Sequence, residues 1–440
     1  MKTSEPDCLM TSNSNSPDPA AKSPSRARSR RVLILGNDDR VVLAIARSLG
    51  RQGLEVHLAW HSPHCLARRS RYIRQTFSLP VCNGPSAAWR DALCEHLDKY
   101  DYDLVIPCNE SSVVPLQRHA ESFRRYSNIY LLDHDHFRLT FDKPECCALA
   151  ERLGVCMPRT RPIAPTDRAE DLVRDLQLPI VVKPHSTFNG QQQANLVRRA
   201  NTVEELTGIL GDSTPEEASL AQECFIGTGV GIELIARDGK ILSAFQHRRL
   251  HESIEFGSSY RKSVSVNPEL LEASAKLMGA IGYTGVAMVE FVFNYQTGRW
   301  VFLEINGRFW GSLPLAVAAG ADFPYYLYQL RVEGRREFPA SYRTDVYCRN
   351  LMLDFQGMRS RSRTDGHPRQ VSWLTPLRDL AIVCSGHDHL DNLTCDDPVP
   401  GLVELVRVTG QFFRKLARKV PLRLPHWPDR RPLAANVPRA

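Results

Sequence analysis

The sequence predicts a mixed chain: an α/β unit with a parallel sheet, followed by an α+β region. Three observations carry that reading. First, Arg31-Val-Leu-Ile-Leu-Gly36 is a buried-strand run ending in a turn, Asn37 to Leu49 has a helical pattern, and Leu54-Glu-Val-His-Leu-Ala59 is a second strand. A β-α-β start of this kind needs a parallel sheet. Second, the runs Val286 to Phe293 and Trp300 to Asn306 are rich in β-branched and aromatic residues. They are separated by the turn composition Asn294-Tyr-Gln-Thr-Gly298, so together they read as a hairpin. Third, further strand and helix patterns follow one another between these regions.

The elements follow in order. Asp103-Leu-Val-Ile-Pro107 is a further buried strand, followed by Cys108-Asn109-Glu110-Ser111-Ser112. Open parallel sheets hold ligands beyond the carboxyl ends of their strands, so Asn109 and Glu110 are substrate candidates. A helix-capping role is the competing reading. Phe141-Asp-Lys143-Pro144 opens a helix that stops at Leu153-Gly154. Strands are expected at 179–183, 194–198, 221–226, 232–236 and 241–246. Helices are expected at 202–210 and 268–281. An apolar helical region spans 313–330.

The hairpin carries the chemistry. Glu304 and Asn306 are two apart and share a sheet face, and Glu290 comes opposite or diagonal to them. Carboxylates set among Val, Phe, Leu and Ile are costly without a partner, which disfavours a merely solvated hairpin face. Two carboxylates and an amide oxygen form a hard ligand set suited to Mg²⁺. Arg308 follows with a guanidinium fork suited to phosphate. His247 and Arg249 alternate to one strand face and Arg248 to the other. This basic strand would take an acyl phosphate or a substrate carboxylate, or else is an exposed strand end.

Bulk properties bound the function. The chain has 440 residues, 42% hydrophobic and 24% charged, with net charge +7. This is ordinary globular composition, large enough for two or three domains. The mild positive excess suits phosphate-bearing ligands, and no nucleic-acid-binding pattern accompanies it. Twelve cysteines occur without a CxxC pair, and the first thirty residues are polar rather than a secretory leader. Both point to a reducing cytoplasm. No apolar stretch reaches membrane-spanning length, so no stable membrane insertion is expected. The pairs His134/His136 and His387/His389 lack a third ligand and read as polar surface. The segment from Leu402 to Val420 is a helix with a basic end, read as docked on its domain in preference to lying on a membrane. Gly36 lacks the second and third glycines of a dinucleotide fingerprint, so a nicotinamide site is not expected.

Taken in order, Lys143, the strand-ending Val181-Val182-Lys183-Pro184, Gln222-Glu223-Cys224-Phe225-Ile226-Gly227, Glu290 and Glu304-Ile-Asn306-Gly-Arg308 resemble the ATP-grasp superfamily of carboxylate–amine/thiol ligases. The resemblance covers residues 31–330. It implies a Rossmann-like pre-ATP-grasp domain at 31–140 and a two-subdomain ATP-grasp fold at 141–340; the polar residues 1–30 read as a disordered tail, and 341–440 is left as a C-terminal extension. It also implies roles. Lys143 and Lys183 would contact ATP phosphates. The backbone at Glu223, Phe225 and Ile226 would meet the adenine. Glu290, Glu304 and Asn306 would hold Mg²⁺ or Mn²⁺, and Arg308 would steady the transferred phosphoryl group. The segment 185–193 has one glycine where relatives often carry several, so its lid would be built differently. An acid for the ribose hydroxyls has no clear match; Glu233 is a candidate out of register. The activity implied is ATP-dependent joining of a small-molecule carboxylate to an amine or thiol through an acyl phosphate. A phosphotransferase, a carboxylase and a non-catalytic ATP-binding regulator are the alternatives. A homodimer is the default expectation for assembly.

Overall fold

The computed structural model describes residues 30–59, 61–80, 82, 87–185, 197–212, 219–253, 257–357 and 385–419. The expected tail at 1–30 and the segment 186–193 lie outside these residues, apart from Arg30.

Three sheets organise the chain. The first is parallel, with β1 (Arg31–Leu35), β2 (Glu55–Ala59), β3 (Ile73–Phe77) and β4 (Leu104–Pro107) in the order β3-β2-β1-β4. Helix Asp39–Arg51 supplies the first crossover, and the Asp38 carboxylate caps it by accepting from the Arg40 amide. The second sheet is small and antiparallel. It runs β5 (Thr160–Ile163), β8 (Ser219–Glu223), β6 (Ile180–Pro184), β7 (Arg198–Ala200). Leu172, Leu176, Ile180, Val182, Leu206 and Ala221 form its separate core.

The third sheet has seven strands in the order β13-β12-β9-β10-β11-β14-β15. These are β9 (Thr228–Arg237), β10 (Lys240–Ser253), β11 (Gly257–Val264), β12 (Gly285–Phe293), β13 (Trp300–Asn306), β14 (Tyr347–Arg349) and β15 (Asp388–Leu390). Helix Pro268–Ile281 packs on it, capped at its start by the Asn267 side chain and ended by Gly282 at φ 62°. The apolar region at 313–330 is broken by Gly320 at φ 101° into helices Leu313–Ala319 and Phe323–Tyr328. One apolar cluster joins the first sheet to the third, running from Val32 and Ile34 through Val42 and Ile45 to Phe291, Trp310 and Leu313.

Two strand expectations shift. The run expected at 194–198 is observed as β7, beginning at Arg198, with 194–196 outside the described residues. The run expected at 221–226 is β8, which ends at Glu223, because Ile226 is turned out to solvent. The ten cysteines among the described residues are all free. Among the same residues no helix is long and apolar enough to cross a membrane.

Candidate active site

The site forms where the β12–β13 hairpin meets the carboxyl ends of the first sheet and the end of β6 in the second. In the hairpin register Glu290 stands directly opposite Glu304, and Asn306 opposite Met288. The Asn306 amide lies 3.4 Å from Glu290 Oε1 and 3.4 Å from Glu304 Oε1. The three side chains therefore crowd one small volume, as two-residue alternation requires. Among the described residues no group of three or more His, Cys, Asp or Glu side chains gathers round one point, so the oxygen set here is two carboxylates and one amide. That set fits a hard divalent cation which takes its remaining ligands from outside the protein.

Cations surround this acidic patch. Burial alone would push the Glu304 carboxyl up, yet Lys143, Lys183 and Arg308 together hold it below its ordinary value. Lys183 is the next-to-last residue of β6 and is half-buried. Burial lowers the pKa of its ammonium and Lys143 lowers it further, while Glu304 works the other way. Lys143 Nζ donates to the Pro184 carbonyl at 3.2 Å, which ties the start of helix Lys143–Arg152 to the end of β6. Arg249 Nη2 lies 2.8 Å from Glu290 Oε2. Burial disfavours the Arg249 charge, but Glu290 and Glu252 raise its pKa overall.

Arg308 faces the first sheet. Its Nη2 lies 2.7 Å and its Nε 3.2 Å from Glu110 Oε1. Glu110 opens helix Glu110–Arg118 immediately after β4. Asn109 caps that helix and also donates to Asn37 Oδ1 at 2.6 Å, so the competing capping reading is realised together with a place at the strand ends. Asn37, Asp38, Arg40 and Ser111 lie on the same rim. For Asn37, Asp38 and Arg40 the signal is the polar run directly after Gly36, and Ser111 belongs to the polar run after β4.

The remaining sequence candidates divide. Arg248 points away from Arg249, with its guanidinium 3.9 Å from the centre of the Tyr295 ring, as the expected alternation requires. Glu223 terminates β8, and its Oε1 accepts from the Gln177 amide at 2.9 Å. Phe225 is half-buried, and Ile226 is 74% exposed with its carbonyl accepting from Asn294. The ribose candidate Glu233 is corrected. It is fully buried, 2.8 Å from His247 Nδ1 and 2.5 Å from Ser312 Oγ, and so is closed off from solvent-borne hydroxyls. Its placement inside β9, flanked by β10 and β12, explains this.

Comparison with known proteins narrows the reading. A family described as "ATP-grasp in the biosynthetic pathway with Ter operon" matches residues 216–351, the span holding Glu290, Glu304, Asn306 and Arg308. The L-amino acid ligase from Bacillus licheniformis superposes with a TM-score of 0.55 at 17% identity, over 70% of this chain and 75% of that one. Residues 216–351 match an ATP-grasp family, and the chain has the ATP-grasp fold. N5-carboxyaminoimidazole synthetase from Staphylococcus aureus, in complex with ADP, superposes with a TM-score of 0.56 at 16% identity, over 73% and 82% of the two chains. In sequence, this chain is 26% identical to biotin carboxylase 1 of Bacillus subtilis over 181 residues, 36% of this chain and 37% of that protein. It is 22% identical over 303 residues to the carbamoyl phosphate synthase large chain of Clostridium beijerinckii, 63% of this chain and 28% of that protein. The chain thus spans roughly a third of the length of these sequence relatives.

Proposed function

We propose that the protein is an ATP- and Mg²⁺-dependent ligase that joins a carboxylate to an amine through an acyl phosphate. The observation that carries this reading is Glu304, held ionised by Lys143, Lys183 and Arg308 beside Glu290 and Asn306, in an ATP-grasp fold. The domain division goes with it: 31–140 as the pre-ATP-grasp unit, 141–340 as the ATP-grasp unit and 341–440 as an extension. β14 and β15 lie past 340 and continue the seven-stranded sheet, so the extension begins inside a continuous structure.

In this reading Lys143 and Lys183 bind ATP phosphates, and the chain from Glu223 through Phe225 to Ile226 lies along the adenine. Glu290, Glu304 and Asn306 would hold Mg²⁺ or Mn²⁺, which when bound neutralises phosphate charge. Arg308, freed from Glu110, steadies the γ-phosphoryl group as it passes to a carboxylate oxygen. The carboxylate's hydroxide-equivalent leaving group is thereby replaced by phosphate. The amine then attacks the acyl carbon and phosphate departs. Asn109, Glu110, Arg248 and Arg249 are the substrate-side residues. No side-chain nucleophile is needed: burial pushes the thiols of Cys146 and Cys147, beside the site, above their ordinary value.

The resemblance to biotin carboxylase and N5-carboxyaminoimidazole synthetase favours one second reading, in which bicarbonate is the carboxylate that is activated. Small-molecule substrates, a cytoplasmic location and a homodimer complete the proposal. The test is release of ADP and phosphate across panels of carboxylates and amines, with and without bicarbonate. Release only when a carboxylate and an amine are both present supports the ligase. Dependence on bicarbonate supports the carboxylase. Release that is unchanged in Glu304→Gln contradicts both.

A further inference from the structure

Glu290 divides its two carboxylate oxygens between different neighbours. Oε1 faces the volume shared with Glu304 and Asn306, 3.4 Å from the Asn306 amide nitrogen. Oε2 is bonded by Arg249 Nη2 at 2.8 Å. Arg249 stands on β10 and Glu290 on β12, and β9 runs between those two strands. Neighbouring strands are about 4.8 Å apart, so the guanidinium spans roughly 10 Å of sheet to reach its partner. A bulky side chain on this face of β9 would stand in its way.

β9 carries glycine where the side chain crosses. Its register sets Gly229 opposite Val292 and Gly231 opposite Glu290. At Gly229 an added Cβ would stand 2.8 Å from Arg249 Cδ and 3.1 Å from Arg249 Nη1, so the Arg249 stem lies directly over that backbone. The Gly229 amide donates to Glu252 Oε1 at 2.6 Å, which brings a second carboxylate beside the guanidinium. The Arg249 and Glu290 side chains are 20% and 14% exposed, so water competes little for the bond between them.

We propose that Arg249 is a positioning residue for the divalent cation, a role it plays beside any contact with substrate. By occupying Oε2 it leaves Glu290 only Oε1 to offer, and so fits the site to Mg²⁺ or Mn²⁺ and against Ca²⁺. The inference rests on the reading of Glu290, Glu304 and Asn306 as the cation's ligands. The physical reason is coordination number. Ca²⁺ takes about six to eight oxygens and readily accepts both oxygens of one carboxylate, whereas Mg²⁺ holds to a compact octahedron. A carboxylate with one oxygen fixed by a guanidinium cannot offer the two-oxygen grip, and partners of this kind orient the ligand they touch.

The test is competition of Ca²⁺ against Mn²⁺ in the full chain with ADP, read as the paramagnetic resonance signal of bound Mn²⁺. In Arg249→Met the preference for Mn²⁺ over Ca²⁺ should fall at least about tenfold. Arg249→Lys, which returns the charge without the fork, should recover part of it. Gly229→Val leaves every charge in place but blocks the path of the Arg249 stem, so it should reproduce the loss; it decides the matter if Arg249→Met does not fold. A role through charge alone would change the affinities for two ions of equal charge by the same factor, and the ratio would not move. A preference retained in folded Arg249→Met overturns the proposal and leaves the cation site standing. Absence of bound Mn²⁺ in the wild-type protein overturns the cation reading itself, and this inference with it.

Discussion

Arg308 and Glu110 are 198 residues apart in sequence, and their side chains meet at 2.7 Å, closing the β13 end of the central sheet onto the carboxyl edge of the first sheet. Burial works against the Arg308 charge, and Glu110 together with Glu304 and Glu290 more than offsets it, so the guanidinium pKa is raised. Both side chains are 20% exposed, so the pair lies between a surface bridge and a sealed one. Its loss should cost about 2 kcal/mol.

Glu110→Ala is expected to lower thermal stability by that amount and to raise KM for the amine or carboxylate at least about tenfold, with KM for ATP changed less than about threefold. Steady-state kinetics with each substrate varied in turn measures the split. A change confined to KM for ATP would move Glu110 to the nucleotide side.

Gly307 lies between Asn306 and Arg308, where an added Cβ would stand 2.5 Å from Thr140 Oγ1 and 3.1 Å from Leu132 Cδ1. Gly307→Ala should therefore displace both neighbours. The expected outcome is a loss of about 1–3 kcal/mol in denaturant unfolding and a fall in kcat of at least about tenfold. Wild-type kcat in a folded Gly307→Ala protein would mean that the strand end tolerates the shift.

Lys183→Ala removes one of the three cations that keep Glu304 ionised. KM for ATP should rise about tenfold or more and kcat should fall about a hundredfold. Lys183→Arg should restore binding in part, because the charge returns with a different shape.

Glu404 gives the pH dependence. Burial pushes its carboxyl up to about 7, with Asp391 and Asp39 adding to the shift and Asn392 opposing it. Its ordinary value is 4.5, so the folded state holds the proton more tightly than the unfolded state. Its contribution is fully present below about pH 4.5 and is lost as pH rises through about 7. The maximum is on the order of 3 kcal/mol. Glu404→Gln, which mimics the protonated form, should flatten the fall in thermal midpoint between pH 5 and 8 (about these bounds). A slope identical to wild type would place the titration elsewhere.

The parts of the site that were legible in sequence are those built from local spacing. Glu304 and Asn306 share a face because strands alternate, and Glu290 stands opposite because a short turn sets the hairpin register. Lys183 was legible because it ends an apolar run. What could not be read were contacts between segments distant in sequence, such as Arg308 with Glu110 or Arg47 with Asp397, since nothing in a local pattern reports which surfaces dock. Glu233 shows the opposite failure. Its neighbourhood in sequence suggested a ribose ligand, but β9 lies between two partner strands and its polar side chain was recruited by His247 and Ser312. The end of β8 was misjudged because apolar Phe225 and Ile226 read as strand continuation, whereas Ile226 is exposed in the connection to β9.

The central claim is that Glu290, Glu304 and Asn306 hold the divalent ion that accompanies the nucleotide. Electron paramagnetic resonance of Mn²⁺ titrated into the protein with ADP tests it most directly. The account predicts a bound Mn²⁺ signal that requires nucleotide and disappears in Glu290→Gln with Glu304→Gln, in a protein of unchanged fold. Mn²⁺ bound equally well by that double variant would contradict it.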